Sequence, residues 1–102
     1  MKTCYEYLQL VKARYGLTSD YQVGKFLGIP PSYLSKYKNG KNTFNEQMVF
    51  EVAELLDLPP EQIYFDVATE RTKDPKIRAI FAKAAKALTP AAIAFWLIFA
   101  TA

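Results

Sequence analysis

The stretch SDYQVGKFLGIPPSYLSKYKNG, residues 19–40, decides the fold of this chain. Ser19 is placed as the N-cap of a short helical pattern, and Gln22 follows three residues later as the second half of a capping box. Gly28 ends that pattern, because glycine adopts the left-handed conformation without penalty. Pro31 suits the first position of a second helix, where its missing N–H would be unpaired anyway. The sequence therefore predicts two short helices joined by a tight turn.

Each of these two helices is predicted to have one apolar and one polar face. The expected inward-facing residues are Val23, Phe26, Leu27, Ile29, Leu34 and Tyr37. The outward-facing residues of the second helix are Ser32, Tyr33, Ser35 and Lys36. Gly24 lies in mid-helix, where glycine costs up to ~1 kcal/mol relative to alanine. A very close crossing of the second helix at that point would explain its presence.

One helix is predicted before this stretch and another directly after it. The first should run over about residues 4–15 behind a capping box of Thr3 and Glu6. Its expected inward-facing residues are Cys4, Tyr7, Leu8, Val11 and Tyr15. The later helix should begin at Thr43, with Glu46 completing another capping box, and should run to about Asp57. Its expected buried residues are Phe44, Met48, Val49, Val52, Ala53, Leu55 and Leu56.

The last third of the chain predicts a fifth helix, a sixth helix and an apolar end. Helix 5 should start near Pro60 and fade near Thr69, with four inward-facing residues: Ile63, Tyr64, Phe65 and Val67. Asp74-Pro75 is a strong start signal for helix 6. Its apolar stripe consists of Ile77, Ile80, Phe81, Ala84 and Leu88. The fold class is therefore all-α: a five-helix domain over residues 1–70, followed by one or two C-terminal helices in residues 71–102.

Charge divides the chain into three segments. Residues 1–42 carry seven lysines and arginines against two acids, residues 43–70 carry seven acids and no base, and residues 71–102 carry six bases against one acid. A polyanion would bind the first segment and be repelled by the middle one. This pattern favours a nucleic-acid partner for the N-terminal segment.

The composition argues against an enzyme. The chain has no histidine and a single cysteine, Cys4, so the commonest general base and a zinc site are both missing. It has no glycine-rich phosphate loop, nucleophile elbow or paired-carboxylate constellation. We expect no cofactor, no metal and no small-molecule ligand. Without a signal peptide at the N-terminus, the expectation is a cytoplasmic protein, and we interpret Cys4 as a small core residue.

Residues 19–40 resemble the helix-turn-helix of the Cro/CI-type, lambda-repressor-like DNA-binding family. The similarity rests on Gly24, Gly28, Leu34, Ser35 and the closing turn at residues 38–40, without a gap. It continues through VAELLDL (residues 52–58) and PPEQI (residues 59–63), and covers about residues 3–66. The resemblance implies a sequence-specific transcriptional regulator that inserts helix 3 into the major groove of double-stranded DNA.

The resemblance also implies which residues contact DNA. Base edges would be read from helix 3 by Pro31, Ser32 and Lys36, with Tyr33 beside them; ordinary packing is the alternative role of Tyr33. Phosphates would be held by Gln22, Lys38, Asn39, Lys41 and Asn42, together with the free amides at the start of helix 2. Two departures from the family pattern stand out. Asp20 replaces a glutamine that often touches phosphate, and Ala13 and Lys38 occupy the positions of a buried arginine–glutamate pair.

Proteins of this family bind as two-fold dimers, so the resemblance requires a dimer surface, which residues 60–102 must supply. The apolar end, AAIAFWLIFATA (residues 91–102), is apolar on all sides of a helix. Its expected contact residues are Phe95, Trp96, Ile98 and Phe99. A dimer core is the favoured interpretation, with peripheral membrane association and packing on the domain as alternatives. The leading hypothesis is a phage or mobile-element repressor on a palindromic operator. The second is an interaction protein, either an antitoxin or a membrane-tethered adaptor, whose tail binds its partner.

Overall fold

The structure is a computed structural model that describes residues 2–87. Over this range the chain forms six α-helices and no strand. The helices are α1 (Cys4–Arg14), α2 (Asp20–Leu27), α3 (Pro31–Lys38), α4 (Glu46–Leu56), α5 (Pro60–Arg71) and α6 (Pro75–Ala87). The predicted all-α class is confirmed. The predicted apolar segment over residues 91–102 lies outside the described residues.

α1 is the central helix of the domain, because it contacts α2, α3, α4 and α5. Its buried face consists of Cys4, Tyr7, Leu8 and Val11, as the three- and four-residue spacing predicts. The other buried apolar residues are Val23, Leu27, Ile29, Leu34, Tyr37, Phe44, Val49, Val52, Ala53, Leu56, Ile63 and Val67. Each fully buried aliphatic or phenylalanine side chain in such a core contributes about 1.5–3 kcal/mol.

Side-chain caps fix the starts of α1 and α2. The Thr3 hydroxyl accepts a hydrogen bond from the Glu6 amide at 3.2 Å, and the Glu6 carboxylate accepts one from the Thr3 amide at 3.1 Å, which confirms the first capping box. Ser19 is the N-cap of α2, and its hydroxyl accepts from the Gln22 amide. The predicted second half of that box is wrong, because the Gln22 side chain accepts from Thr18 instead.

The predicted start of helix 4 at Thr43 is also wrong. The N-cap is Asn45, whose side-chain oxygen accepts from the Met48 amide at 2.8 Å. This start places Phe44 one residue before the cap and Val49 at the fourth helical position, and both are buried. These are the two positions of a hydrophobic staple. The burial of Phe44 thus accounts for the later start, and it leaves the Thr43 hydroxyl for a different contact.

Two aromatic residues predicted to face inward lie at the edge of the core. Tyr15 is the C-cap of α1 and Phe26 lies on α2, and their exposed fractions are 41% and 45%. Their ring centroids are 5.1 Å apart. The Tyr15 hydroxyl donates to the Leu55 carbonyl oxygen at 2.7 Å, so this pair covers the core while its polar group stays paired.

The buried face of α5 differs from the prediction because it includes a carboxylate. Ile63, Asp66 and Val67 are buried at the i, i+3, i+4 spacing, whereas Tyr64 is 48% exposed and Phe65 is half-buried. The Tyr7 hydroxyl of α1 donates a short hydrogen bond to the Asp66 carboxylate. Burial, followed by this bond to a carboxylate, raises the pKa of Tyr7 above its ordinary value. The pair therefore joins α1 to α5 through a satisfied buried polar contact.

Cys4 is buried at the start of α1, as predicted. Its sulfur accepts a hydrogen bond from the Phe44 amide at 3.3 Å, and its own amide donates to the Glu70 carboxylate at 2.8 Å. Burial raises the pKa of the Cys4 thiol well above its ordinary value, with a smaller contribution from the nearby Glu70 carboxylate. The thiol is therefore held in its neutral form, which is the inert form.

Gly24 lies at the crossing of α2 and α3, as predicted. A Cβ at this position would lie 2.7 Å from the Ile29 carbonyl oxygen and 2.9 Å from the Leu34 Cδ1 atom. Gly28 has φ 72° and caps α2, which confirms the predicted left-handed turn. These two glycines set how closely and at what angle α3 follows α2.

α6 follows α5 after a short connection and contacts it. The Asp74 side chain accepts from the Lys76 amide at 2.9 Å, which places Asp74 at the start of α6 as predicted. The apolar residues Ile77 and Ile80 are 45% and 66% exposed. This part of the predicted apolar stripe is therefore not buried against α5.

Candidate nucleic-acid interface

The exposed face of α3 lies opposite the two residues that anchor this helix. Leu34 and Tyr37 are buried, and at 100° per residue the side chains on the opposite side belong to Ser32, Ser35 and Lys36. All three are exposed, as is the N1 residue Pro31. The structure thus places all four predicted base-reading residues (Pro31, Ser32, Tyr33 and Lys36) on the solvent side of one two-turn helix.

Two exposed tyrosines flank this face, each paired with a lysine. The Lys36 Nζ atom lies 5.1 Å from the ring centre of Tyr33, and the Lys25 Nζ atom lies 5.0 Å from that of Tyr21. Tyr33 is 46% exposed and Tyr21 is 61% exposed. Tyr21 and Lys25 were not among the predicted contact residues. Their four-residue spacing on one face of a helix was the signal that could have found them.

The loop after α3 holds three predicted phosphate-contact residues in a tight turn. Asn39 is the C-cap of α3 and Gly40 has φ 71°. The Lys36 carbonyl oxygen accepts from the amides of Lys41 and Asn42, at 2.8 Å and 3.3 Å. The turn leaves the Asn39 and Lys41 side chains exposed and that of Asn42 partly exposed.

Gln22 is exposed in the first turn of α2, with its side-chain oxygen occupied. That oxygen accepts from the Thr18 amide at 2.7 Å and from the Thr18 hydroxyl at 3.0 Å. The donors of its side-chain NH₂ group are the part left for an anion. This orientation suits the predicted phosphate contact.

Asp20, the residue that departs from the family pattern, is tied to α1. Its carboxylate accepts from the Tyr5 hydroxyl at 2.8 Å, the Gln9 side chain at 3.2 Å and the Lys12 ammonium at 3.4 Å. Partial burial would raise the pKa of Asp20, but the hydrogen bonds from Gln9, Tyr5 and Lys12 outweigh it and hold the pKa below its ordinary value. The Lys12 ammonium group thus partly neutralises the negative charge of Asp20. Asp20 therefore repels a phosphate less strongly than the sequence alone suggests.

The positions of the family's buried ion pair are both at the surface. Ala13 and Lys38 take the place of that pair, and both are exposed. The loss of the pair therefore leaves no buried charge without a partner. Lys38 and Asp20 line the same shallow groove between the start of α2 and α3. The exposed Lys38 side chain is thus able to contact an anion from this groove.

Other kinds of site can be assessed only over the described part of the chain. Among residues 2–87 no group of three or more acidic, cysteine or histidine side chains could hold a metal ion. No helix in that range is both long and apolar enough to cross a membrane. The predicted partner-contact residues Phe95, Trp96, Ile98 and Phe99 lie outside the described residues.

A family model described as helix-turn-helix matches residues 9–63, more than half of the chain. Comparisons with curated proteins and with solved structures gave no match. The matched range begins within α1, includes α2 and α3 and extends into α5. The chain therefore belongs to the Cro/CI-type helix-turn-helix family of DNA-binding regulators.

Proposed function

We propose that this protein is a repressor of a phage or similar mobile element, which binds a palindromic operator as a dimer with α3 in the major groove. The observation that carries the proposal is the exposed face of α3 opposite Leu34 and Tyr37. A recognition helix must be anchored on one side and present short or flexible polar side chains on the other. α3 has both properties.

In this proposal Lys36 donates to the O6 and N7 atoms of a guanine, and Ser32 bonds to either base of a neighbouring pair. Pro31 sets the entry of the helix into the groove. Tyr33 packs on a thymine methyl group or bonds to a phosphate. The Tyr33 ring is partly exposed and lies beside the Lys36 ammonium group, so it is next to the exposed face of α3.

Phosphate contacts come from both sides of α3. The loop supplies Asn39, Lys41 and Asn42, the end of α3 supplies Lys38, and the first turn of α2 supplies Gln22 and its amides. These contacts position the protein on the duplex without reading sequence. In this arrangement residues 1–70 are the DNA-binding domain and residues 71–102 are the segment for self-association.

The experiment is selection of bound duplexes from a random library by the purified full-length protein. The proposal predicts an enriched motif with two-fold symmetry, whose half-sites are about one turn apart, roughly 10 base pairs. A chain that bound DNA but enriched no motif would not be a sequence-specific repressor. An enriched single half-site would argue against the dimer.

The second candidate is an interaction protein, an antitoxin or a membrane-tethered adaptor, that uses its C-terminal segment for another partner. Supporting it is the exposure of Ile77 and Ile80 on α6, next to the exposed cations Lys76, Arg78 and Lys83. Truncation after Thr89 separates the two candidates. The repressor should lose both its dimer, as seen by light scattering, and its operator affinity. The interaction protein should keep its DNA affinity and lose the part of its partner binding that depends on residues 90–102, since Ile77 and Ile80 of α6 remain.

A further inference from the structure

Arg71, the last residue of α5, contacts the segment that follows the predicted phosphate loop. Its Nε atom donates to the Thr43 hydroxyl at 2.6 Å, and its Nη2 atom donates to the Phe44 carbonyl oxygen at 2.7 Å. Both donors lie on one edge of the planar guanidinium group, and a lysine cannot supply this fork. Arg71 therefore binds two successive residues of a loop that is 27 residues away in sequence.

The loop between α3 and α4 is thus held at both ends. At its first end the Lys36 carbonyl oxygen accepts from the amides of Lys41 and Asn42. At its last end Phe44 is fully buried, with its ring centre 5.4 Å from that of Tyr37. Side chains hold Phe44 at both backbone polar groups, since its amide donates to Cys4 and its carbonyl oxygen accepts from Arg71. The amides of Lys41 and Asn42 thus form the first anchor, Asn39 lies within the turn that it closes, and Arg71 holds the two residues that directly follow Asn42.

We propose that Arg71 is a positioning residue for DNA binding. It holds the loop at residues 39–44 in the conformation in which the Lys41 and Asn42 side chains can contact phosphates. This inference rests on the proposed function. Arg71 acts through the loop and does not itself contact DNA. Because Arg71 ends α5 just before the short connection to α6, one side chain joins the start of the C-terminal segment to the loop that carries the proposed phosphate contacts.

The test is binding of the full-length protein to a fluorescent mixed-sequence duplex of about 20 base pairs, roughly two DNA turns, over a series of KCl concentrations. Arg71→Lys keeps the charge and removes the fork. We expect it to weaken binding by roughly 3- to 10-fold and to lower the salt slope by about one phosphate contact. Binding that stays at the wild-type level in Arg71→Lys would overturn the proposal.

A second variant, Arg71→Gln, removes both the charge and the fork and should weaken DNA binding at least as much as Arg71→Lys, and Arg14→Gln is its matched control. Arg14 is also an exposed arginine that donates to a carbonyl oxygen, that of Leu56 at 3.0 Å, and it does so at the end of α4. The two changes remove the same charge and a similar kind of bond. An equal loss of DNA affinity in both variants would mean that net charge or stability, and not the loop, is responsible, which would contradict the proposal.

A double-mutant comparison shows whether Arg71 acts through the loop. The losses from Arg71→Lys and Lys41→Ala should be less than additive, because a displaced loop already costs the Lys41 contact. Fully additive losses would indicate that Arg71 contacts DNA independently, and would overturn the proposal.

Amide hydrogen exchange without DNA separates this inference from the proposed function. Arg71→Lys should speed exchange at residues 41–44 and leave α1 unchanged, whether or not the loop binds DNA. If Lys41→Ala leaves DNA binding intact while exchange accelerates in Arg71→Lys, then the proposed phosphate contact is wrong, but Arg71 still holds the loop. If exchange in Arg71→Lys does not change, Arg71 does not hold the loop and this inference is wrong.

Discussion

Gly24→Ala tests how closely α3 packs against α2. This packing determines the position of the exposed face of α3 that is proposed to read DNA. In an ordinary exposed helix this substitution would stabilise by up to ~1 kcal/mol through helix propensity. Here the added Cβ would lie 2.7 Å from the Ile29 carbonyl oxygen and 2.9 Å from the Leu34 Cδ1 atom. Leu34 can change its rotamer, but the Ile29 oxygen belongs to the backbone of the turn and moves only if the turn does.

The two effects can be compared in magnitude. Overpacking costs about 1–3 kcal/mol and helix propensity offsets up to ~1 kcal/mol of it, so we expect a net loss centred near ~1 kcal/mol that reaches about 2 kcal/mol. For a domain of this size that corresponds to a drop in Tm of roughly 5–15 °C. The assay is thermal unfolding followed by circular dichroism, with DNA binding measured on the protein that is still folded at low temperature. Because α3 must shift, DNA affinity should fall in that folded population too.

Gly28→Ala is the control. A Cβ at Gly28 would meet no atom within 4 Å, but φ is 72°, so only backbone strain of about 1–2 kcal/mol opposes alanine there. This variant should lose stability with a smaller effect on DNA affinity. If Gly24→Ala raised Tm, the close crossing would be refuted, and so would the explanation given for glycine in mid-helix.

Two further predictions follow from the pKa directions. Cys4 should resist alkylation by iodoacetamide at pH 8 in the native protein and react once the chain is unfolded in urea, because burial raises the pKa of its thiol; rapid native labelling would show that α1 opens. Asp20→Asn should lower the free energy of unfolding at pH 7 by about 0.5–1 kcal/mol, a modest value because Asp20 and Lys12 are both partly exposed. The native pKa of Asp20 is lowered, so its contribution is present above the ordinary aspartate pKa and is lost as the pH falls through the native pKa. Urea titrations of both proteins at a series of pH values from 7 downwards check this, and a difference that does not shrink as the pH falls would contradict it.

The features that sequence reasoning predicted correctly depend on neighbours in the chain. Residues within a few positions of each other determine the Thr3 cap, the Gly28 turn and the proline at the start of α3. The close crossing at Gly24 could be predicted because glycine lowers helix stability in mid-helix and therefore needs a packing reason. The helix-turn-helix could therefore be predicted from residues 19–40.

Two of the features that sequence reasoning missed depend on partners from another helix, and the third depends on which residue is buried beside the cap. Asp66 entered the prediction only as one acid of the acidic segment over residues 43–70, but Tyr7 from a different helix is its buried partner. Asp20 was identified only as a departure from the family pattern, but three side chains of α1 donate to its carboxylate. The start of α4 was misplaced because Thr43 and Asn45 are both good caps, and the burial of Phe44 decides between them. A local pattern does not contain the Tyr7–Asp66 contact, whereas the Phe44–Val49 staple was a local signal for the later start of α4.

The most direct test of the central claim is the effect of Lys36→Ala on sequence preference. Binding should be measured on the selected duplex, on variants with each base pair changed, and on a mixed-sequence duplex, with Lys41→Ala as the comparison. We predict that Lys36→Ala weakens binding to the selected duplex by about 1–3 kcal/mol and removes discrimination at one base pair. Lys41→Ala should weaken binding to every duplex alike and reduce the salt slope by about one. If Lys36→Ala left the preference at every base pair unchanged, α3 would not read DNA through this face.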